Sequence, residues 1–161
     1  MTVNIRPARS DDLGAVDALL ARAYPRLLKA DYPPSVLVTA LPIISRAQPE
    51  LLGCGTYYVA EEGLVILGAG GWTRDRSRHD LGHIRHVVTD DRALRRGIGR
   101  AILSHALETA RKQGVAEMIC WSTLTAEPFY AAMGFLSEGP MDVALQPGIS
   151  FPAIRMRQRL S

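Results

Sequence analysis

The sequence predicts a mixed α/β fold, organised as one domain over residues 1–161. Three observations carry that prediction. The length, 161 residues, is that of about one domain. Apolar residues recur at helical spacing in some segments and follow strand patterns in others. The two kinds of segment interleave along the chain, in the order β-α-α-β-β-β-α-β-α-β-β, instead of separating into blocks.

Residues 3–8 (VNIRPA) alternate apolar and polar side chains up to proline, the pattern of a strand. Ser10, with Asp11 and Asp12 behind it, reads as a helix cap with acid in the first turn. Leu13, Val16, Leu20, Ala23 and Leu27 then share one helical face. Pro25 should break or kink this helix near Tyr24. Residues 33–45 predict a second helix, opened by proline and disturbed at Pro42. Residues 56–73 hold two β-rich runs separated by Glu61, Glu62 and Gly63, which is a hairpin signal. Residues 82–88 form a third strand of this block. Helical spacing returns after Gly97, through Ile98, Ile102, Leu103, Leu107 and Ala110, and stops at Gly114. Residues 117–122 read as a short buried strand. Residues 125–134 read as a short helix with Pro128 in its first turn and glycine at its end. Residues 135–145 and 150–160 complete the chain as two strands turning at Pro147 and Gly148. The helix over residues 98–113 must be a crossover, so the strands on either side of it are parallel.

Composition excludes several classes of function. The chain is 47% hydrophobic and 22% charged, values of an ordinary soluble globular protein. A net charge of +3, spread over several segments, and an aromatic content of 6% argue against nucleic acid as a partner. No apolar run reaches the roughly 18 residues that cross a bilayer, so no membrane partner is expected. The N-terminus has no apolar signal-peptide core. Cys54 and Cys120 lie far apart in no metal-ligand spacing, so two buried free thiols, a cytoplasmic location and no metal site are expected.

The stretch LRRGIGRAIL, residues 94–103, joins a strand to the start of a helix. A helix N-terminus presents unpaired N–H groups and the positive end of a dipole. Gly97 and Gly99 let an anion approach that backbone, and Arg95, Arg96 and Arg100 surround it with positive charge. The combination suits a phosphate or pyrophosphate. The competing reading is a glycine-rich turn with solvated arginines. The stretch is no Walker A loop, since the Lys-Ser/Thr ending is missing, and Ile102 replaces the third glycine of G-x-G-x-x-G.

A second motif lies downstream. Together, VVTDDRALRRGIGRAIL and AEPFYAAMGF, within residues 83–136, resemble the GNAT superfamily of N-acetyltransferases. The resemblance implies a central mixed sheet of about seven strands flanked by about four helices. Two parallel strands of that sheet splay apart to admit acetyl-coenzyme A. It further implies that Arg95, Arg96, Gly97, Ile98, Gly99 and Arg100 hold the pyrophosphate. Val87, Val88, Thr125 and Phe129 would flank the pantetheine arm. Tyr130, in the segment FYAAMGF, would lie near the thioester sulfur. Leu94 departs from the family pattern, which usually carries Gln or Arg there, and Thr125 stands where asparagine is frequent.

Acetyl transfer to an amine needs a base for the ammonium proton and an acid for the departing thiolate. Tyr130 fits the acid, since a phenol titrating near ~10 stays protonated at neutral pH. On residues alone it fits a packed core tyrosine as well. His83 matches a position where some family members carry a basic carboxylate. It is the expected base, with His86 on the opposite face of the same strand and a water chain as alternatives. Asp31 and Glu127 are acids able to receive a cationic amine. Residues 74–80 (RDRSRHD) fit a solvated hairpin tip or a contact to the coenzyme's 3′-phosphate. Arg155, Arg157 and Arg159 alternate on one face and read as a solvent-facing stripe. Tyr24, Tyr57 and Trp72 fit an acceptor pocket or the core.

Two function classes follow. The first is an acetyl-CoA-dependent N-acetyltransferase acting on a small-molecule or peptide amine by direct attack. The second is a module that binds coenzyme A, or another pyrophosphate ligand, without catalysis. The resemblance also implies a homodimer.

Overall fold

The computed structural model describes residues 2–160. Seven strands, β1 (Asn4–Pro7), β2 (Tyr57–Glu62), β3 (Val65–Arg74), β4 (Leu81–Thr89), β5 (Glu117–Ser122), β6 (Leu136–Gln146) and β7 (Ile149–Arg159), form one sheet. Their spatial order is β1-β2-β3-β4-β5-β7-β6. All neighbours are antiparallel except β4 and β5. That parallel pair is joined by the crossover helix α4 (Ile98–Lys112), as the sequence requires. The remaining helices are α1 (Leu13–Leu28), α2 (Pro34–Ile44), α3 (Pro49–Leu52) and α5 (Glu127–Ala132).

Local differences from the sequence reading have local causes. Ser10 does not cap α1; Ser10–Asp12 is a 3-10 turn, and the helix begins at Leu13. Asp12 is buried and drawn into a bidentate pair with Arg6, both contacts at 2.9 Å, while accepting the Arg9 N–H at 2.7 Å. The acid thus ties β1 to the start of α1. Pro25 does not end α1, and Pro42 does not end α2. Buried Leu20, Ala23 and Leu28 flank Pro25, and their packing carries α1 past the ~3 kcal/mol that an interior proline costs. The short α3 carried no periodic signal, since four residues span barely one turn.

Helices cover both faces of the sheet. α1 packs Val16, Leu19, Leu20 and Ala23 against Val59, Ala69 and Val88. On the other face α4 packs Leu103, Ala106 and Ala110 with Trp72, Met118 and Phe135. α4 comes close because β3 is small there: a Cβ at Gly68 would lie 2.8 Å from Ile102 Cδ1. Trp72 Nε1 and the Tyr58 hydroxyl both donate to Thr109 Oγ1 on α4, at 3.0 and 2.9 Å. Trp72 and, on the α1 face, Tyr57 are buried core residues. Tyr32 links the start of α2 to β7, donating to Pro152 O at 2.7 Å and accepting the Leu124 N–H at 2.8 Å. Both cysteines are free, but Cys54 is exposed and only Cys120 is buried. Cys54 sits in the turn after α3, beyond the hydrophobic run that reaches the core. No helix among the described residues is long and apolar enough to cross a membrane.

Candidate active site

The site begins where β4 and β5 separate. Their pairing covers Leu81 to His83 against Glu117 to Ile119 and goes no further. Beyond it β4 continues to bond β3, and β5 continues to bond β7. Their facing edges are left with unpaired backbone groups. A bulge in β4 accompanies the separation: β3 pairs Gly71 with Arg85 and Ala69 with Val88, so His86 and Val87 together oppose Gly70. His86 takes a positive φ of 44°, and its carbonyl accepts the Tyr57 hydroxyl at 3.2 Å. Gly70 makes room, since a Cβ there would lie 2.8 Å from Val87 Cγ2.

The gap opens into a cavity of about 300 Å³. Val87, Val88, Gly99, Thr125, Phe129 and Tyr130 line it, which brings six of the sequence-predicted site residues together. At one end stands the N-terminus of α4. Gly97 caps it at φ 76°, a left-handed conformation that favours glycine. No side chain among the described residues bonds the cap, and the first intrahelical bond runs from Ala101 N to the Gly97 carbonyl. The N–H groups of Ile98, Gly99 and Arg100 are thus left for another partner. A Cβ on Gly99 would lie 3.1 Å from Thr89 Oγ1 and 3.5 Å from Phe129. Its bare backbone keeps the cavity open at this point.

The three arginines of the loop differ. Arg96 is held by Glu62 at 2.5 Å. Arg95, itself at φ 66°, and Arg100 meet no carboxylate among the described residues. The loop hangs from Asp90, which is 1% exposed, accepts the Arg92 N–H at 2.8 Å and contacts the Arg22 guanidinium of α1. Burial pushes the Asp90 carboxyl up, but the Arg92 hydrogen bonds and the Arg22 charge overcome it and hold the group below its ordinary value. Sequence reasoning missed Asp90 and Arg22. An aspartate closing a strand two residues before an arginine is a turn-capping signal that marks the first of them.

Tyr130 closes the other end. Its ring meets Phe129 and Phe135 edge-on, with centroids 5.2 and 5.6 Å away. Burial, followed by the neighbouring Cys120, pushes its phenol well above the ordinary value. Burial pushes the Cys120 thiol up to about 12. Both groups hold their protons at neutral pH. Tyr24 and His86 lie in the same cavity. His86 is half-buried with Nε2 3.3 Å from Gln48 Nε2, and burial, with the Arg85 charge, lowers its pKa.

A family model for the acetyltransferase (GNAT) domain matches residues 39–157. The chain belongs to the GNAT family. Among solved structures, the GCN5-related N-acetyltransferase from Rhodopseudomonas palustris superposes with a TM-score of 0.83 at 16% identity, covering 99% of this chain and 96% of that one. The PaiA N-acetyltransferase from Thermoplasma acidophilum, solved with coenzyme A, gives 0.75 at 14% identity, covering 99% of each chain. Rv2747 from Mycobacterium tuberculosis, in complex with CoA, gives 0.65 at 23% identity, covering 98% of this chain and 99% of that one. At these identities the likeness concerns the GNAT fold. No curated protein matches the sequence.

Other expected residues fall elsewhere in the GNAT fold. His83 lies outside the cavity of Tyr130. It lines a second cavity, of about 580 Å³, and its Nε2 is 2.7 Å from Asp75 Oδ1. Its side chain follows that of its register partner Ile119, while Cys120, one residue on, turns to the opposite face beside Tyr130. Residues 74–80 connect β3 to the start of β4, whereas the 94–100 loop follows its end. The length of β4 thus separates the segment from the loop expected to hold the pyrophosphate, and nothing in this placement favours a 3′-phosphate contact. Asp75 accepts the Ser77 hydroxyl and the N–H groups of Ser77 and Arg78, which makes the segment an ordered turn. Thr125 donates to Asp31 at 2.7 Å, which occupies one of the two candidate acids. Arg155 and Arg157 pair with Glu138, and Arg157 also with Glu117, so the expected stripe is an ion-pair ladder. Trp121, an exposed aromatic unnoticed in the sequence, borders both cavities.

Proposed function

We propose that this GNAT protein transfers the acetyl group of acetyl-CoA to a primary amine by direct attack. The observation that carries the reading is one continuous path, from the uncapped N-terminus of α4, along the unpaired edges of β4 and β5, to the Tyr130 hydroxyl. The coenzyme A seen in structural neighbours supports the same ligand. Backbone N–H groups of residues 98–100, with Arg95 and Arg100, receive the pyrophosphate. Thr125 and Phe129 border the pantetheine, and the free edge of β4 at Val87 and Val88 offers backbone groups to its amides. Arg96, held by Glu62, adds charge at longer range.

The amine nitrogen attacks the thioester carbonyl carbon, the C–S bond breaks, and the thiolate takes the Tyr130 proton. The raised phenol pKa means that Tyr130 carries this proton at neutral pH. The base is His86, in place of His83, because His86 shares the cavity and its lowered pKa keeps it neutral at pH 7. Cys120 stays a thiol, which disfavours an acetyl-enzyme intermediate.

Tyr130→Phe tests the reading. The acetylation rate should fall by ~100-fold, the usual contribution of a positioned proton donor, with the coenzyme dissociation constant unchanged. An undiminished rate removes Tyr130 from the chemistry. Tight coenzyme binding with no coenzyme release across a broad amine panel would favour a non-catalytic coenzyme A module instead.

A further inference from the structure

The 580 Å³ cavity is walled by charges that acetyl transfer does not use. Three arginines line it. The Arg74 guanidinium is spent on the carbonyls of His79 and Gln113. Arg85 bonds the Thr73 hydroxyl through Nε at 2.9 Å, and Arg76 has no hydrogen-bond partner among the described residues. Neither meets a carboxylate among the described residues, a state they share with Arg95 and Arg100 of the glycine loop, whereas Arg6, Arg22, Arg78, Arg96 and Arg157 are paired. Both side chains reach solvent at the cavity mouth, and partial burial, then the Arg76 charge, lower the Arg85 pKa. Two unpaired guanidiniums in one concavity attract an anion, and their planar forks match a carboxylate. The acids of the cavity do not quench them. Asp75 is saturated by His83, Ser77 and the Arg78 N–H. Glu50, on the α3 side, carries no hydrogen bond or ion pair among the described residues.

A third cavity, of about 280 Å³, adjoins this one and shares Gln48, Arg85 and Trp121 with it. Its far wall is apolar: Ile43 and Ile44 of α2 face Val143, Leu145 and Phe151 of the β6–β7 ribbon. His86 and Tyr24 border it from the side of the reaction cavity. A carboxylate site, a base and an apolar recess therefore meet around Arg85 and His86, consecutive residues at the β4 bulge.

Building on the acetyltransferase reading, we infer that the acceptor is an apolar α-amino acid. Arg85 and Arg76 hold its carboxylate, its amine faces His86, and its side chain enters the recess between α2 and β7. His83, fixed by Asp75, forms the polar wall beside the carboxylate.

The experiment uses the full chain with acetyl-CoA and matched acceptors: leucine and phenylalanine, their carboxamides, glutamate and lysine. Initial rates of coenzyme A release are read for the wild type, Arg85→Gln and the Arg76→Gln/Arg85→Gln double variant. The free amino acids should exceed their carboxamides by at least ~10-fold in kcat/KM, the worth of a charged hydrogen-bonded pair. The preference should vanish in the double variant through the acceptor KM, with the KM for acetyl-CoA unchanged. Faster turnover of the carboxamides, or a preference that survives the double substitution, overturns the carboxylate site. Glutamate or lysine outpacing leucine overturns the apolar recess. The melting temperature of the coenzyme A complex supplies a second readout with N-acetyl-leucine and its carboxamide. If no amine releases coenzyme A, the acetyltransferase reading fails by itself. The anion site is then upheld by a shift with N-acetyl-leucine that the double variant loses, and overturned by the absence of any shift.

Discussion

The two main cavities beside the β4–β5 gap are built in opposite ways. The one holding Tyr130 is shaped by backbone: a left-handed Gly97, a Gly99 where a methyl would crowd Thr89, an uncapped helix start and a bulged strand. Its side chains are largely apolar, and burial keeps the Tyr130 phenol and the Cys120 thiol protonated. The one holding His83 is shaped by charge: arginines, a histidine–aspartate pair and an ordered turn, all supplied by residues 74–85 around the β3–β4 connection. In the proposed reading, the backbone-built site takes the coenzyme and the charge-built site selects the acceptor.

The histidines give the widest separation between the two. His86→Gln should lower kcat by ~100-fold, the scale of a lost general base. Burial lowers the His86 pKa from the ordinary 6.5, so it loses its proton, and becomes a base, below that value. The wild-type rate should therefore fall on an acidic limb centred below pH 6.5, and His86→Gln should flatten that limb. His83→Gln should leave the limb in place and raise the acceptor KM. The reverse outcome in the two pH–rate profiles would return the base to His83.

Asp90→Asn probes the anchor of the backbone-built side. The buried carboxylate holds Arg22 and the turn before α4, and replacing it should cost about 2 kcal/mol. Thermal melting should show this as a drop of several degrees. Asp90 and Asp12 both titrate below the ordinary 3.8 in the folded chain. Their stabilisation is complete above that pH and is lost as pH falls through the folded values. Acid unfolding of the variant should be correspondingly less steep than that of the wild type. Arg96→Gln should do least. It removes an exposed ion pair, so melting should hardly change, and coenzyme affinity should weaken only by the loss of one long-range charge. A collapse of affinity there would give Arg96, held back by Glu62, a direct phosphate contact.

How much of this was legible in the sequence follows the same division. The crossover helix, its glycine start and the FYAAMGF helix are set by residues close together in the chain, and their patterns are local. Six residues that line the backbone-built cavity, Val87, Val88, Gly99, Thr125, Phe129 and Tyr130, can therefore be named from the sequence, whereas Leu27, Thr123 and Trp121 of its lining cannot. The bulge at His86 could not, because it takes a positive φ without a glycine and depends on Gly70 across the sheet. The offset of His83 from the glycine loop points to it as the base, but the early end of β4–β5 pairing decides which cavity it enters. Cys54 and the 74–80 turn were misjudged or left open for a related reason. Their surroundings come from α3, β3 and β4 together, and no short window of sequence contains all three.

The central claim is that coenzyme A lies in the β4–β5 gap with its pyrophosphate on the N-terminus of α4. Calorimetric titration of coenzyme A into the wild type and Gly99→Val tests it most directly, with circular dichroism confirming that the variant is folded. A valine would push into Thr89 and Phe129, where even a bare Cβ stands at 3.1 and 3.5 Å. The account predicts saturable one-to-one binding to the wild type and an affinity at least ~10-fold weaker in the variant, for the crowding of a close backbone approach. Equal affinity in the two proteins, or no binding to the wild type, would contradict it.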